Sequence, residues 1–184
     1  MGGTIRTLGS RIVYENRWMR VREDAIERPD GAPGIYGVVE KPDFVVVAAI
    51  DRAASTIHLV EQYRYPLGDR FWELPQGAWE TRPDAPPEEV ARAELSEETG
   101  FRAGRMTDVG SLFLAAGYSS QRYHVFLAEE LVAGERALEA EEAAAGLVSR
   151  AFPIAEVEAM IAGGVIRDAT TVAALGLIRL KGLL

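Results

Sequence analysis

The run Phe44–Ile50, which reads FVVVAAI, most restricts the fold of this chain because every position in it is apolar. A strand with one face in water alternates apolar and polar residues, whereas an unbroken apolar run predicts a strand buried on both faces. A second strand-like run, Thr56–Tyr63, follows the polar segment Asp51–Ser55. The two runs therefore predict neighbouring strands, the first of them deep inside the domain.

Strand patterns dominate the first half of the chain and helix patterns the second half. Residues 11–31 predict a hairpin that turns near Glu15 and Asn16, and the prolines and glycine of residues 70–90 predict a loop. The remaining predictions are strands near Val109–Ala115 and Tyr123–Ala128, an acidic loop over 131–146, and helices over 87–99, 154–164 and 168–184. Mixed strands and helices indicate an α/β or α+β layered domain.

Composition narrows the class of partner. The 184 residues carry a net charge of −8, so a basic footprint for nucleic acid or anionic lipid is absent. The chain has no cysteine and therefore no disulfide or thiolate metal site. Its first residues lack the apolar centre of a signal peptide, and no apolar run is long enough to span a membrane. We therefore expect a cytoplasmic, soluble protein that contacts neither nucleic acid nor membrane.

Three glutamates, Glu94, Glu97 and Glu98, crowd the last turns of the predicted helix 87–99. The carboxyl-terminal end of a helix carries partial negative charge, so carboxylates are unfavourable there. Their spacing places them on about a third of the helix circumference, beside Ala91 and Leu95, which point into a core. A bound Mg²⁺ or Mn²⁺ would offset the repulsion, since these cations prefer oxygen ligands. A solvated acidic face is the alternative interpretation of this helix alone.

The segment from Gly77 to Phe101 resembles the Nudix box, a signature that binds metal and cleaves phosphoanhydrides. The matching positions are Gly77, Glu94, Leu95, Glu97, Glu98, Gly100 and Phe101, preceded by Leu74-Pro75-Gln76. Outside the box, EQYRYP and IRDATTVAALGL resemble the branch of ADP-ribose and nucleotide-sugar pyrophosphatases. The resemblance implies an αβα sandwich with a mixed central sheet and an N-terminal antiparallel strand segment.

The resemblance also implies roles for single residues. Glu94 and Glu98 would bind the metal, Glu97 would be an additional or bridging ligand with a catalytic role, and the carbonyl of Gln76 would be a further ligand. Arg64, in EQYRYP, matches the arginine that grips phosphate in this branch. Trp18 is a candidate for stacking on a nucleobase, and a place in the core or at a dimer interface is an equal alternative.

This branch usually draws the general base from an acidic loop near the end of the sheet. Here that loop reads LEAEEAAAG, and Glu139, Glu141 and Glu142 all qualify. Glu142 is favoured because it lies closest to the strand that follows. His58 and His124 lie in strand-like runs, where we expect them to pack or to form hydrogen bonds.

Three departures from the family pattern stand out. Ala93 replaces the arginine that would orient Glu97 by a charge-assisted hydrogen bond. The loop after Gly77 is longer than the pattern, so Glu80 is only a candidate for the first glutamate of the box. Tyr118 occupies the region where many ADP-ribose hydrolases carry a proline, which makes it a candidate substrate-binding residue and bears on substrate identity.

The resemblance predicts one hydrolase domain over residues 1–184, with N-terminal strands in 1–40, a catalytic core in 41–184 and the box in 77–101. The expected reaction is metal-dependent hydrolysis of a nucleoside diphosphate linked to a sugar-like group, which yields a nucleoside monophosphate and a sugar phosphate. The alternatives are a dinucleoside polyphosphate hydrolase and a nucleotide-sugar sensor without turnover. The apolar content of residues 1–40 predicts a homodimer.

Overall fold

The computed structural model describes residues 3–79, 82, 84–138 and 143–184, and in it the apolar run forms strand β4 (Phe44–Asp51). Side chains at Val45, Val47 and Ala49 pack with one hydrophobic cluster. The alternate side chains, Val46, Ala48 and Ile50, pack with the other cluster on the opposite face. Residues 45–50 are all buried, so the prediction of a strand covered on both faces is confirmed.

The central sheet surrounds β4. Its other strands are β5 (Thr56–Arg64), β6 (Asp69–Glu73), β7 (Gln76–Gly77), β8 (Phe101–Phe113), β9 (Arg122–Ala133) and β10 (Val148–Pro153). The order is β10-β5-β4-β9-β8, with β6 paired to β5 and β7 paired to β4. The β4–β9 pair is parallel and the other pairs are antiparallel. The expected mixed central sheet is therefore present.

Helices cover both faces of this sheet. Helix α1 (Pro87–Thr99) packs through Val90, Ala91 and Leu95 on one face. Helices α2 (Ile154–Ala162) and α3 (Ala169–Leu180) cover the other face. Pro87 begins α1 at a position where its missing N–H costs no hydrogen bond, and Gly100 ends it with a φ of +77°. No helix within the described ranges has the length and apolar character needed to cross a membrane.

The N-terminal residues form a separate antiparallel sheet of three strands, β1 (Arg6–Glu15), β2 (Arg20–Glu27) and β3 (Pro33–Glu40). Asn16 closes the first turn, because its Oδ1 accepts hydrogen bonds from the N–H groups of Trp18 and Met19, both at 2.9 Å. This sheet is joined to the main body where Val39 N donates to Tyr118 O at 2.8 Å. The predicted hairpin is present, with a third strand added to it.

The sequence missed β6, β7 and β10, and it placed the start of β8 too late and the end of β9 too early. Residues 69–73 and 76–77 are strands, although the prolines and glycine around them predicted a loop. Each missed strand pairs with β4 or β5 across the fold. Strand formation depends on such pairing partners, so strands as short as these give little signal in the sequence.

Candidate active site

Helix α1 places the glutamates of its last turns at the edge of the core. Glu94 is 6% exposed and Glu98 is 1% exposed, while Glu97 is half-buried. No basic residue lies in the last turn of α1 to offset their charge. Buried carboxylates at the negative end of a helix are costly unless hydrogen bonds or a cation stabilise them. The interpretation as a solvated acidic face therefore does not hold for Glu94 and Glu98.

Strand β7 contacts both buried carboxylates. Gln76 N donates to Glu98 Oε2 at 3.0 Å. Gly77 lies so close to Glu94 that a Cβ at this glycine would be 2.4 Å from its carboxylate atoms. Any other residue at position 77 would displace Glu94, because real Cβ contacts do not reach this distance. The absence of a side chain at position 77 therefore permits the close approach of the Glu94 carboxylate to the main chain.

Residues 74–77, which include β7, are held by the central sheet and by α3. Val47 N donates to Pro75 O at 2.9 Å, and Val46 pairs with Gln76 across β4 and β7. Leu74 N donates to the Oγ1 atom of Thr171 at 2.9 Å, and Thr171 is fully buried in α3. Residues 74–77 are thus held by main-chain contacts with β4 and by a side-chain hydroxyl of α3, which positions Gln76 and Gly77 against the glutamates.

These residues fit a hard divalent cation. The carboxylates of Glu94 and Glu98 offer oxygen ligands, and the absent Cβ of Gly77 leaves the Glu94 carboxylate beside the main chain. Within the described ranges, which exclude Glu80 and residues 139–142, no three acidic or histidine side chains are grouped as a metal cluster. The ligand set Gln76, Glu94, Glu97 and Glu98 therefore stays a prediction.

A cavity of about 340 Å³ opens beside β7. Its lining includes Arg64, Gln76, Gly77 and Ala78. Gln76 and Gly77 therefore contact the buried carboxylates and also line the cavity. A substrate in the cavity would lie next to the buried glutamates.

Arg64 is held in this cavity by a buried acid. Its Nε donates to Glu73 Oε1 at 2.9 Å, its Nη2 pairs with Glu73 Oε2, and Glu73 is 2% exposed. Gln76 Nε2 donates to the same carboxylate at 2.7 Å. Burial opposes the charge of Arg64, but the hydrogen bond to Glu73 and the charges of Glu73, Asp168 and Glu98 raise the pKa of Arg64 above its ordinary value. Arg64 therefore presents a permanent positive charge to the cavity.

The sequence did not single out other polar residues of the cavity, namely Lys41, Gln121, Asp168 and Thr170. Gln121 Nε2 donates to Pro42 O at 2.7 Å, and Asp168 Oδ2 accepts the N–H of Thr171 at 2.7 Å as the cap of α3. Only Asp168 had a local signal, since an aspartate before a helical run is a typical cap. The others come together through the fold.

Trp18 and Tyr118 do not line this cavity. Trp18 lies in a groove of about 370 Å³ that shares Lys41 and Pro42 with it, and the Arg17 guanidinium lies 4.1 Å from the Trp18 ring centroid. Tyr118 is exposed in a shallow depression with Tyr36 and Phe113. The predicted roles of Trp18 and Tyr118 in substrate binding stay predictions. The base candidates Glu139, Glu141 and Glu142, and also Glu80, lie outside the described residues.

Arg92 and Arg82 form hydrogen bonds with glutamates other than Glu97. Arg92 donates to the Glu88 carboxylate at 3.0 Å and to Ala103 O at 2.9 Å. Arg82 donates to Glu89 Oε1 at 2.9 Å and lies 4.6 Å from the ring centroid of Trp79. None of these contacts involves Glu97, so they do not replace the family arginine.

We expect Ala93→Arg to leave kcat essentially unchanged. Gln76 N–H and Gly77 already position Glu98 and Glu94, two of the three predicted ligand glutamates, so better orientation of Glu97 alone should add little to kcat. The new side chain would pair with Glu89 or Glu97 at helical spacing, which stabilises a helix by about 0.2–0.5 kcal/mol. Steady-state kinetics test this, with Ala93→Met as the uncharged control. A several-fold gain in kcat for the arginine variant alone would contradict it.

The comparisons with known proteins agree with this geometry. Residues 5–39 match the family model of the nucleoside diphosphate sugar hydrolase N-terminal domain, and residues 41–175 match that of the NUDIX domain. The chain is 31% identical to an ADP-ribose pyrophosphatase of Bacillus subtilis over 74% of this chain and 72% of the relative. It is also 31% identical to an ADP-ribose pyrophosphatase of Mycobacterium tuberculosis, over 91% of this chain and 79% of the relative.

A solved structure shares the fold. The crystal structure of an ADP compounds hydrolase superposes with a TM-score of 0.83 at 24% identity, covering 99% of this chain and 97% of that chain. The mixed sheet, the three described helices and the N-terminal strands match the expected αβα sandwich. With a NUDIX model that matches most of its length and box glutamates buried against Gln76 and Gly77, this chain belongs to the NUDIX family.

Proposed function

We propose that this protein is a NUDIX pyrophosphatase that hydrolyses a nucleoside diphosphate linked to a sugar-like group, with ADP-ribose as the first substrate to test. The products would be a nucleoside monophosphate and a sugar phosphate. One observation carries this proposal. Gln76 and Gly77 contact the buried carboxylates of Glu98 and Glu94, and the same two residues line the cavity that contains Arg64. Both family models and the two ADP-ribose pyrophosphatases support the same substrate class.

Some residues of the site would bind the substrate, and others would position the metal ligands. Arg64, fixed by Glu73, would bind the diphosphate, and Lys41 would add a second positive charge in the same cavity. Asp168 would accept hydrogen bonds from sugar hydroxyls, since a carboxylate repels phosphate. Gln76 N–H and Gly77 would hold Glu98 and Glu94 as oxygen ligands for a divalent metal, Mg²⁺ or Mn²⁺. The metal would neutralise charge on the diphosphate when bound.

A carboxylate of the acidic loop would take the proton from the attacking water. We assign this role to Glu142, with Glu139 and Glu141 as the alternatives, because Glu142 lies closest in sequence to β10. Glu97, half-buried on α1, is a further metal ligand in this proposal. A cytoplasmic location stays a prediction of the sequence.

Turnover on a panel of substrates tests the function. We expect Mg²⁺-dependent hydrolysis of ADP-ribose or a related nucleotide sugar, abolished by EDTA and restored by excess Mg²⁺, with products identified by chromatography. GDP-mannose, UDP-glucose and diadenosine polyphosphates complete the panel. Preference for the diadenosine compounds would favour the dinucleoside alternative. Tight binding without hydrolysis of any compound would favour the sensor.

We propose further that the protein is a homodimer formed through its N-terminal sheet. β1 is exposed along its whole length, and Ile35 in β3 is 70% exposed. The exposed large apolar residues of this segment are Ile5, Leu8, Ile12, Val13, Tyr14, Trp18, Ile35 and Tyr36. So many exposed large apolar side chains in one segment are typical of an interaction site, and a two-fold dimer is the commonest soluble assembly.

Light scattering of the full chain should give twice the monomer mass of 20.1 kDa. Deleting residues 1–40 should cost both dimerisation and substrate affinity, while α1 still binds metal. In the full-length chain, Ile12→Asp should weaken the dimer because it places a charge in the apolar surface, whereas Thr7→Asp in the same exposed strand is a matched control. A clean monomer mass for the unmodified protein would refute the dimer and any site shared between subunits.

A further inference from the structure

Arg136 supplies the cation that the last turn of α1 lacks in its own sequence. Its Nε donates to Glu98 O at 2.6 Å, across a separation of 38 residues in the chain. A cation at the carboxyl-terminal end of a helix is stabilising because the last carbonyl groups there have no partner within the helix. Glu98 is therefore held twice, at its carbonyl by Arg136 and at its carboxylate by Gln76 N–H.

Arg136 lies close to the glycine that ends the helix. A Cβ at Gly100 would lie 3.3 Å from the Cβ of Arg136, and Gly100 also has a φ of +77°. Gly134 N donates to Gly100 O at 2.7 Å, which brings the chain that carries Arg136 directly over the end of α1. The glycine of the box thus serves both the helix end and the approach of Arg136.

The same guanidinium also reaches the chain that leads into β10. Its Nη2 donates to Leu147 O at 3.0 Å, and Leu147 is buried. Arg70 of β6 donates to the two preceding carbonyls, Ala145 O at 3.0 Å and Gly146 O at 2.7 Å. Three successive carbonyl oxygens are therefore bound by arginines, and Arg136 links them to the carbonyl of Glu98.

We propose that Arg136 is a positioning residue for the hydrolysis: it fixes the end of α1 that carries Glu98 relative to residues 145–147. This inference rests on the proposed function, because it concerns the placement of a metal-ligand glutamate. Arg136 is suited to the task since its planar fork can donate to two carbonyls at once, whereas a lysine is a single point charge. Its bonded partners Glu98 and Leu147 do not line the cavity, so it should not contact substrate.

Arg136→Met keeps most of the stem and removes both hydrogen bonds. We expect kcat to fall by about 10–100-fold with KM for the nucleotide sugar nearly unchanged, because displacement of a catalytic group by about 1 Å has effects of this size. Arg136→Lys should retain part of the lost activity. Arg92→Met is the matched control, since Arg92 also donates to a backbone carbonyl from α1 but contacts Ala103 and Glu88 instead.

A measurement without substrate separates positioning from overall stability. Mg²⁺ raises the melting temperature of a protein that binds it in the folded state, and the rise depends on affinity. We expect a smaller Mg²⁺-induced rise for Arg136→Met than for the unmodified protein or Arg92→Met. If the unmodified protein hydrolyses no substrate, the proposed function fails, while this shift still tests whether Arg136 positions Glu98.

Three results would overturn the inference. One is a kcat and a Mg²⁺-induced shift for Arg136→Met that both equal those of the unmodified protein. Another is a loss of activity that matches the loss of folded protein, which would give Arg136 a structural role only. The third is full activity of Arg136→Lys, which would show that charge alone suffices and that the bridge between the two carbonyls is not needed.

Discussion

Replacing Glu98 with glutamine should abolish metal-supported turnover while the protein stays folded. Glu98 is 1% exposed and its carboxylate accepts the N–H of Gln76, a bond that the amide oxygen of glutamine can still accept. The substitution removes a negative charge from a crowded acidic turn, so we expect stability to be unchanged or slightly higher. Loss of a metal ligand removes several kcal/mol of transition-state stabilisation, and each 1.36 kcal/mol is tenfold in rate. The expected fall in kcat is therefore about 10³-fold or more.

The measurement pairs steady-state kinetics over a Mg²⁺ titration with thermal unfolding of the same sample. Glu88→Gln is the matched control, because Glu88 lies in the first turn of α1, is exposed and pairs with Arg92. That control should hydrolyse substrate normally. Full activity of Glu98→Gln, or activity of the unmodified protein that EDTA does not diminish, would refute the assignment of the metal-ligand glutamates.

Replacing Glu142 with glutamine should lower kcat by about 10²–10⁴-fold with little change in substrate affinity, the range expected for loss of a general base. The amide keeps the shape of the side chain and removes its ability to take a proton from water. Kinetics of Glu139→Gln and Glu141→Gln under the same conditions decide among the three candidates. Glu135→Gln is the control, as Glu135 is an exposed acid of the same segment.

The outcomes of this series have different meanings. If Glu139→Gln or Glu141→Gln shows the loss instead, the base is misplaced by a few residues and the mechanism survives. If all three variants remain active, the base lies outside this loop. A rise in KM with an unchanged kcat for Glu142→Gln would assign that residue to substrate binding rather than to proton transfer.

Features that depend only on residues close together in the sequence were predicted correctly. The apolar run of β4 predicted burial on both faces, and Pro87 and Gly100 predicted the bounds of α1, because periodicity and helix ends are local properties. The box glutamates predicted a carboxylate cluster for the same reason, since the helical repeat alone sets which side chains share a face. The NUDIX match confirms the family that these residues indicated.

Features made by distant segments were not predicted. The sequence predicted a loop where β6 forms. β6 is a strand because it pairs with β5, and its local sequence does not reveal this pairing. Arg64 was expected to bind phosphate, but its buried partner Glu73 was not foreseen. Lys41, Gln121 and Asp168 come from three separate parts of the chain and meet only in the cavity.

The sequence by itself determined the elements, the helix that carries the acids and the chemical class of the site. Only the tertiary structure decided how the acids are held: Gly77 against Glu94, Gln76 N–H on one end of Glu98 and Arg136 on the other. The physical reason is that a helix brings side chains together through its own repeat, whereas main-chain donors and a remote guanidinium reach a carboxylate or a carbonyl only after long loops have closed.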